Sequence, residues 1–334
     1  MIKHPKFIVA IGASAGGLDA LMEMARSLQK GLDVAYCIVL HLSRKGIGDF
    51  VVHRLKQVTS LDCSLAINGA PIKKDNIYIA RPNQHLLVKN NKFILGGGPE
   101  ENRFRPSIDV LFRSAAVAYS SYSIGVILSG MLDDGTSGMW AIKRSGGTCV
   151  VQDPNQAEYP DMPLSVINNM EVDHVATLDE IGPLVAKIIN HKRGKKKPVP
   201  KDVIAESIIA ETTAVSIEDV EKLGNTSVFA CPDCGGNLWS LKHDILKRYR
   251  CHIGHAYTEK DLVIKQAETA STTLWVSLRM MEERKHLLKK MEVEYSKKGI
   301  KSLSSNHVEK QDAMQRHIDT LKKILFDLQN HDTT

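Results

Sequence analysis

Candidate chemistry begins at Ser14. It sits in Phe7-Ile8-Val9-Ala10-Ile11-Gly12-Ala13-Ser14-Ala15-Gly16-Gly17, where an apolar run gives way to a glycine-rich turn. Leu18, Leu21, Met22 and Ala25 follow at helical spacing. The apolar run predicts a buried strand and the later period a helix. Gly12-x-Ser14-x-Gly16 between them has the form of a nucleophile elbow, which leaves the hydroxyl at the carboxyl end of the strand. The helix that starts there turns free N–H groups and a positive dipole end towards any oxyanion. Two other readings fit the same turn. One is a phosphate cradle, although G-x-G-x-x-G and the G-K-[ST] of a P-loop are absent; the other is a purely structural glycine turn. A hydrolase needs a base and an acid from elsewhere in the chain.

Both have candidates. Val34 to Leu40 is a second near-continuous apolar strand and ends at His41. Ser123 to Leu128 is a third, running into Ser129-Gly130-Met131-Leu132-Asp133-Asp134-Gly135. Open α/β sheets gather their sites at the carboxyl ends of strands. The roles follow chemical type: Ser14 as nucleophile, His41 as base, and an aspartate to hold the imidazole tautomer. A histidine after a strand also serves as a plain hydrogen-bonder, and Asp-Asp-Gly is common turn chemistry. Spacing does not choose between Asp133 and Asp134.

The elements that must position these residues alternate. A helix is expected from Phe50 to Val58, then short strands around Ser64–Ile67, Ile77–Ala80, Leu86–Val88 and Phe93–Leu95, with Asn90-Asn91 as a hairpin turn. Ser107 reads as the N-cap of a helix, and Thr148 to Val151 as a further strand. Fully apolar strands belong to a parallel sheet covered on both faces. The expected fold is therefore α/β, with a doubly wound, mostly parallel sheet. At 334 residues and 43% hydrophobic, the chain can hold that core and a smaller module. No apolar run of about 18 residues predicts a membrane span. Met1 to Lys6 leads into the first strand rather than a signal peptide, so a cytoplasmic protein is expected. Cys37, Cys63 and Cys149 read as small buried side chains. A net charge of +6 admits an acidic partner without demanding nucleic acid.

IGASAGGLDAL, VLHLS, ARPNQHLLV, RPSIDVLFRSAA and LSGMLDDGTSGM, followed by GGTCVVQDP and MPLSVI, together resemble the catalytic domain of CheB-type chemotaxis methylesterases over Phe7 to Ile189. The resemblance implies a triad of Ser14, His41 and Asp134, and an oxyanion hole from the backbone amides of Ala15 and Met131. It also implies hydrolysis of glutamate γ-methyl esters on chemoreceptor helices, often with glutamine deamidation. Family members typically carry an N-terminal phospho-receiver domain, for which this chain has no room, and many have asparagine where Asp133 stands. Met131 also fits as core filler. His85 resembles a family histidine without an assignable role. Arg113 and Glu100-Glu101 read as surface or helix-start features.

His191 to Lys201 is basic and aperiodic, and reads as a solvated linker. Beyond it, Cys231-x2-Cys234 and Cys251-x3-His255 have the spacing of a closed, structural zinc site of a zinc-ribbon-like module, with His252 turned away. A redox C-x-x-C is the rival, but its βαβ context is missing. From Thr258 the chain reads as a helical hairpin. Leu274, Leu278, Met281 and Leu288 form one stripe, and Met314, Ile318, Leu321, Leu325 and Leu328 the other, with a bend at Lys297 to Ser302. These helices are a candidate homo-oligomer contact. The expected divisions are a catalytic domain over 1–190, a basic linker with a short helical segment over 191–225, a ribbon over 226–258 and a hairpin over 259–330. The hydrolase and the ribbon are expected to work independently, with no cofactor in catalysis and structural zinc in the ribbon. The expected partner is a methylated chemoreceptor or a similar helical signalling protein, with neither nucleic acid nor membrane insertion. The alternatives are an esterase for another protein or small ester, and an adaptor that binds a partner through the zinc module.

Overall fold

The computed structural model describes residues 4–41, 47–192, 194–212 and 216–331; Leu42 and Ser43 of the VLHLS segment lie outside these. In chain order the elements are β1 (Phe7–Ala13), α1 (Gly17–Arg26), β2 (Val34–Leu40), α2 (Ile47–Val58), β3 (Asp62–Leu65), β4 (Asn76–Ile79), β5 (His85–Lys89) and β6 (Lys92–Gly96). Then come α3 (Ile108–Tyr119), β7 (Ser123–Ile127), α4 (Thr136–Arg144), β8 (Thr148–Gln152), α5 (Asp161–Asn169), β9 (His174–Ala176) and α6 (Leu178–His191). Seven strands form one sheet in the order β3-β4-β2-β1-β7-β8-β9. Every pair in it is parallel.

Strand periodicity explains the continuous apolar runs. Successive side chains point to opposite faces, so Phe7, Val9 and Ile11 enter one core with Leu21, Leu55 and Ile181 of α1, α2 and α6. Ile8 and Ala10 enter the other, with Phe112, Ile142 and Val166 of α3, α4 and α5. β2 divides in the same way, Tyr36 and Ile38 against Cys37 and Val39. Neither face of these strands meets water, so no polar alternation is left. β5 and β6 form a separate antiparallel hairpin. Its turn residues Asn90 and Asn91 both adopt positive φ, which asparagine tolerates.

The C-terminal part adds α7 (Lys201–Thr212), α8 (Ile217–Leu223), β10 (Gly224–Ala230), β11 (Asn237–Leu241), β12 (Arg248–Cys251) and β13 (Ala256–Thr258). The four strands make an antiparallel ribbon in sequence order. α9 (Glu259–Lys297) and α10 (Lys301–His331) follow. Leu278, Ile318 and Leu325 are buried together, with Leu274, Met281, Met314 and Leu321 against them, while Leu328 stays exposed.

The compact units divide differently from the sequence reading. One runs to Leu262 and the second starts at Val263, so the ribbon shares a unit with the hydrolase fold. The expected free linker is tied down as well. Tyr122 Oη donates to Gly194 O at 2.5 Å, Ser120 Oγ to Lys197 O at 2.5 Å, and Lys197 N to Ser121 Oγ at 2.9 Å. Basic composition marks solvation of these side chains; it does not reveal where the backbone bonds.

Close approach fixes Gly12, where the start of α3 crosses β1. A Cβ there would lie 2.4 Å from Ile108 Cγ2. Gly12→Ala should cost about 1–3 kcal/mol, the usual range for overpacking. A urea melt with an unchanged midpoint would mean that the crossing has slack.

Candidate active site

β1 lies between β2 and β7. The sheet's other strands before α3 lie on one side of it and those after α3 on the other, which makes the carboxyl end of β1 the topological switch point where such sheets place their sites. Ser14, His41 and Asp134 follow β1, β2 and β7. Backbone bonds join the three loops: Ser14 N donates to Ser129 O and His41 N to Ala13 O, each at 3.0 Å. Gly16, at φ +66°, makes the turn; a Cβ there would meet Ser129 Oγ and Glu158 Oε2 at 2.8 Å.

His41 lies between the other two. Its Nδ1 is 3.3 Å from Ser14 Oγ, and its Nε2 is 3.0 Å from Asp134 Oδ2. The second contact is close but not aligned as a linear hydrogen bond. A proton on Nε2 faces the carboxylate and leaves the Nδ1 lone pair for the serine hydroxyl. The two nitrogens thus exchange the places they hold in the serine-protease template. The Phe104 ring stacks on the imidazole at 3.6 Å and 10°. Asp133 turns the other way and accepts from Thr258 Oγ1 of the ribbon at 3.2 Å. Of the neighbouring aspartates, only Asp134 reaches His41.

Asp134 collects donors. Oδ1 accepts from Ser107 Oγ at 2.9 Å, Asn102 Nδ2 at 2.8 Å and Asp109 N at 3.3 Å, while Oδ2 accepts from Ile108 N at 2.7 Å. Ser107 occupies the N-cap position of α3, but its own side chain does not cap the helix. The buried Asp134 carboxylate takes the free N–H groups and the positive dipole end instead. Burial alone would raise the Asp134 carboxyl; the close His41 imidazole, with the bonds from Ile108 and Asn102, outweighs it and holds it below the usual aspartate range. His85 is buried one step behind. It accepts from Ser107 N at Nδ1, 3.2 Å, and its Nε2 is 2.8 Å from Pro99 O. Burial first lowers its pKa, which keeps it the neutral acceptor that Ser107 requires.

Met131 is 49% exposed, which excludes the core-filler reading. Among the described residues the N–H groups of Ala15 and Met131 have no acceptor, so both are free to donate. Arg113 and Glu101 correct the sequence reading outright: both are at most 2% exposed. Glu101 is paired with Arg113, with Arg250 Nη2 at 2.6 Å and with Arg248 Nη2 at 3.6 Å. Burial would raise its carboxyl, but the three guanidiniums hold it well below the usual range. The missed residues are Asn102, Phe104 and this ion network. One signal was present: Arg113 interrupts the apolar IDVLFRSAAVAY helix, and a charge there requires a buried partner.

In the ribbon, the ligand atoms of Cys231, Cys234, Cys251 and His255 all lie within 4.8 Å of one another. Cys234 Sγ is 3.7 Å from Cys251 Sγ, and Cys251 Sγ is 3.5 Å from His255 Nδ1. Zinc–sulfur bonds of about 2.3 Å in a tetrahedron require a sulfur separation of about 3.8 Å. The donor set fits a zinc ion. Gly235 and Gly254, both at positive φ, turn the two knuckles, and His252 stays outside the cluster.

Residues 9–185 match the CheB methylesterase family model. The chain belongs to the CheB methylesterase family. A Leptospira interrogans relative is 37% identical over 181 residues, 54% of this chain and 93% of that one. A Rhizobium johnstonii relative, named protein-glutamate methylesterase/protein-glutamine glutaminase 2, is 34% identical over 54% of this chain and 50% of its own length. The crystal structure of the Thermotoga maritima CheB methylesterase catalytic domain superposes with a TM-score of 0.53 at 31% identity, over 55% of this chain and 98% of that one. The CheB methylesterase match contains Ser14, His41 and Asp134 and ends before the ribbon. Among the described residues no helix is long and apolar enough to cross a membrane.

Asp261, beside Asp133 in the wall behind the site, yields a pH prediction. Its Oδ1 is buried without a hydrogen-bond partner. Burial first, and the Asp133 charge second, push its carboxyl up to about 6, against about 3.9 in an unfolded chain. The folded state therefore binds the extra proton between those values, and stability falls as pH rises through them. Asp261→Asn removes that cost. It should exceed the parent by about 2–3 kcal/mol at pH 7, with the gap closing as pH falls through 6 towards 4. Urea melts at both ends check this; a gap independent of pH contradicts it.

Proposed function

We propose that this chain is a protein-glutamate methylesterase. Ser14 Oγ attacks the γ-carbonyl carbon of a glutamate methyl ester while His41 Nδ1 takes the hydroxyl proton. The tetrahedral oxyanion rests on the amides of Ala15 and Met131. His41 returns the proton to the departing methoxide, methanol leaves, and an acyl-enzyme remains on Ser14. Water, deprotonated by the same imidazole, then releases glutamate. A glutamine side chain at the same serine would lose ammonia, which gives the deamidase activity. The observation that carries this reading is the placement of His41 between Ser14 and Asp134 at the switch point, inside the matched family region. The proposed substrate is a methylated receptor helix. Zinc on Cys231, Cys234, Cys251 and His255 is proposed as structural, since four protein ligands leave no position open for a substrate.

Methyl release from a methylated receptor tests the hydrolase. Ser14→Ala and His41→Ala should each lower kcat by about three orders of magnitude or more, and the double variant should be little worse than either. Asp134→Asn should be severe and Asp133→Asn mild. Additive losses, or the reverse order of the two aspartates, would contradict these roles.

Metal analysis tests the ribbon. The purified chain should carry about one zinc, and Cys251→Ser should lose it along with ordered ribbon backbone, because metal binding and folding are coupled in so small a core. A folded, metal-free ribbon would contradict the assignment.

A further inference from the structure

One short turn carries two contacts on the hydrolytic residues, and the ribbon holds it. Glu101 N donates to Phe104 O at 3.3 Å and Phe104 N to Glu101 O at 3.0 Å, closing a turn with Asn102 and Arg103 at φ 52° and 67°. On its inner side the turn presents Asn102, fully buried, whose Nδ2 donates to both Asp134 Oδ1 and Asp109 Oδ2 at 2.8 Å. It also presents the Phe104 ring that covers His41. Its outer side is bonded to the ribbon. Asn102 N donates to Ala256 O at 2.8 Å and Ala256 N to Glu100 O at 3.4 Å, so Glu101 pairs with β13 as a parallel bridge. Arg250 of β12 holds Glu101 from one side and Gly254 O, at 3.1 Å, from the other. Arg248 extends the joint to Glu206 of α7 at 3.0 Å and to Asp244 at 2.6 Å.

An amide that donates to two buried carboxylates is positioned by its backbone, and here that backbone is bonded to β13 through Asn102 N and Ala256 O. Buried ion pairs hold such a joint in one geometry, because separating either partner leaves an uncompensated charge. We propose that Asn102 is a positioning residue for the hydrolytic site, set in place by the ribbon through Arg250 and β13. The C-terminal module then acts on catalysis by aiming Asp134 and His41, and the hydrolase fold and ribbon do not work independently. This rests on the reading of Ser14, His41 and Asp134 given above.

The test uses the full chain and a readout that does not pass through hydrolysis. NMR of 15N-histidine-labelled protein reports the His41 ring nitrogens and their titration, with thermal melts to check folding. Turnover of p-nitrophenyl acetate is measured alongside. Asn102→Ala should shift the His41 signals and titration and lower kcat by about tenfold to a hundredfold, the factor for one hydrogen bond to a charged group, with KM little changed. Arg250→Lys, in the ribbon, should move the same signals in the same direction and lower kcat by a smaller factor. Glu101→Gln loosens the joint from the other side and replaces Arg250→Lys if that variant does not fold. Folded variants whose His41 signals and kcat match the parent overturn the proposal. A response to Asn102→Ala but not to Arg250→Lys or Glu101→Gln overturns the role of the ribbon. Shifted His41 signals in a protein whose Ser14→Ala variant still hydrolyses ester at the parent rate overturn the assigned nucleophile and uphold the positioning.

Discussion

The Asp134 carboxylate is the group on which the arrangement converges. Moving a charge into an interior is costly unless hydrogen bonds replace the lost water. Here they come from the first turn of α3, from Ser107 and from Asn102, and His41 faces what remains. A carboxylate at a helix N-terminus is worth up to about 2 kcal/mol when partly buried, and several such bonds overcome the desolvation that would otherwise neutralise it. Keeping Asp134 charged is what allows an imidazolium to form beside it. The close fit of Gly12 under Ile108 follows, since α3 must start against β1 for its N–H groups to reach the carboxylate.

Sheet order supplies the rest of the geometry. β1 receives β2 on one side and β7 on the other, so the loops that follow these three adjacent parallel strands open at the same end of the sheet. Ser14 sits at the glycine turn, His41 follows its strand directly, and Asp134 hangs from the β7–α4 loop. Each is placed by strands whose side chains are buried on both faces, and the site inherits that rigidity. The second layer is polar and equally buried. His85 fixes Ser107, Asn102 bridges Asp109 and Asp134, and Glu101 is held among three arginines.

The central strands and the three hydrolytic candidates were legible because both follow from short-range pattern: apolar runs mark buried strands, and polar residues just beyond them mark strand ends. Choosing Asp134 over Asp133 required the family resemblance, since adjacent residues differ only in which way the loop turns them. The grouping of Cys231, Cys234, Cys251 and His255 was legible from spacing alone, because each pair lies on one tight knuckle. Asn102, Phe104 and Glu101 were not. Their partners are distant in sequence: Asn102 meets Ala256, and Glu101 meets Arg250. Charges in ENRFRP look like a solvated loop until the ribbon covers them. The basic segment after His191 misled for the same reason, its composition reporting the side chains while its backbone bonds to the 120–122 turn.

The most direct test of the account is covalent. A fluorophosphonate reacts with a serine whose hydroxyl is activated by a neighbouring base and whose oxyanion is stabilised. Peptide mapping by mass spectrometry after labelling of the intact protein should find the phosphonyl group on Ser14, and His41→Ala should abolish the labelling. A label on another serine, or labelling of Ser14 that persists without His41, would contradict the hydrolytic mechanism proposed for this site.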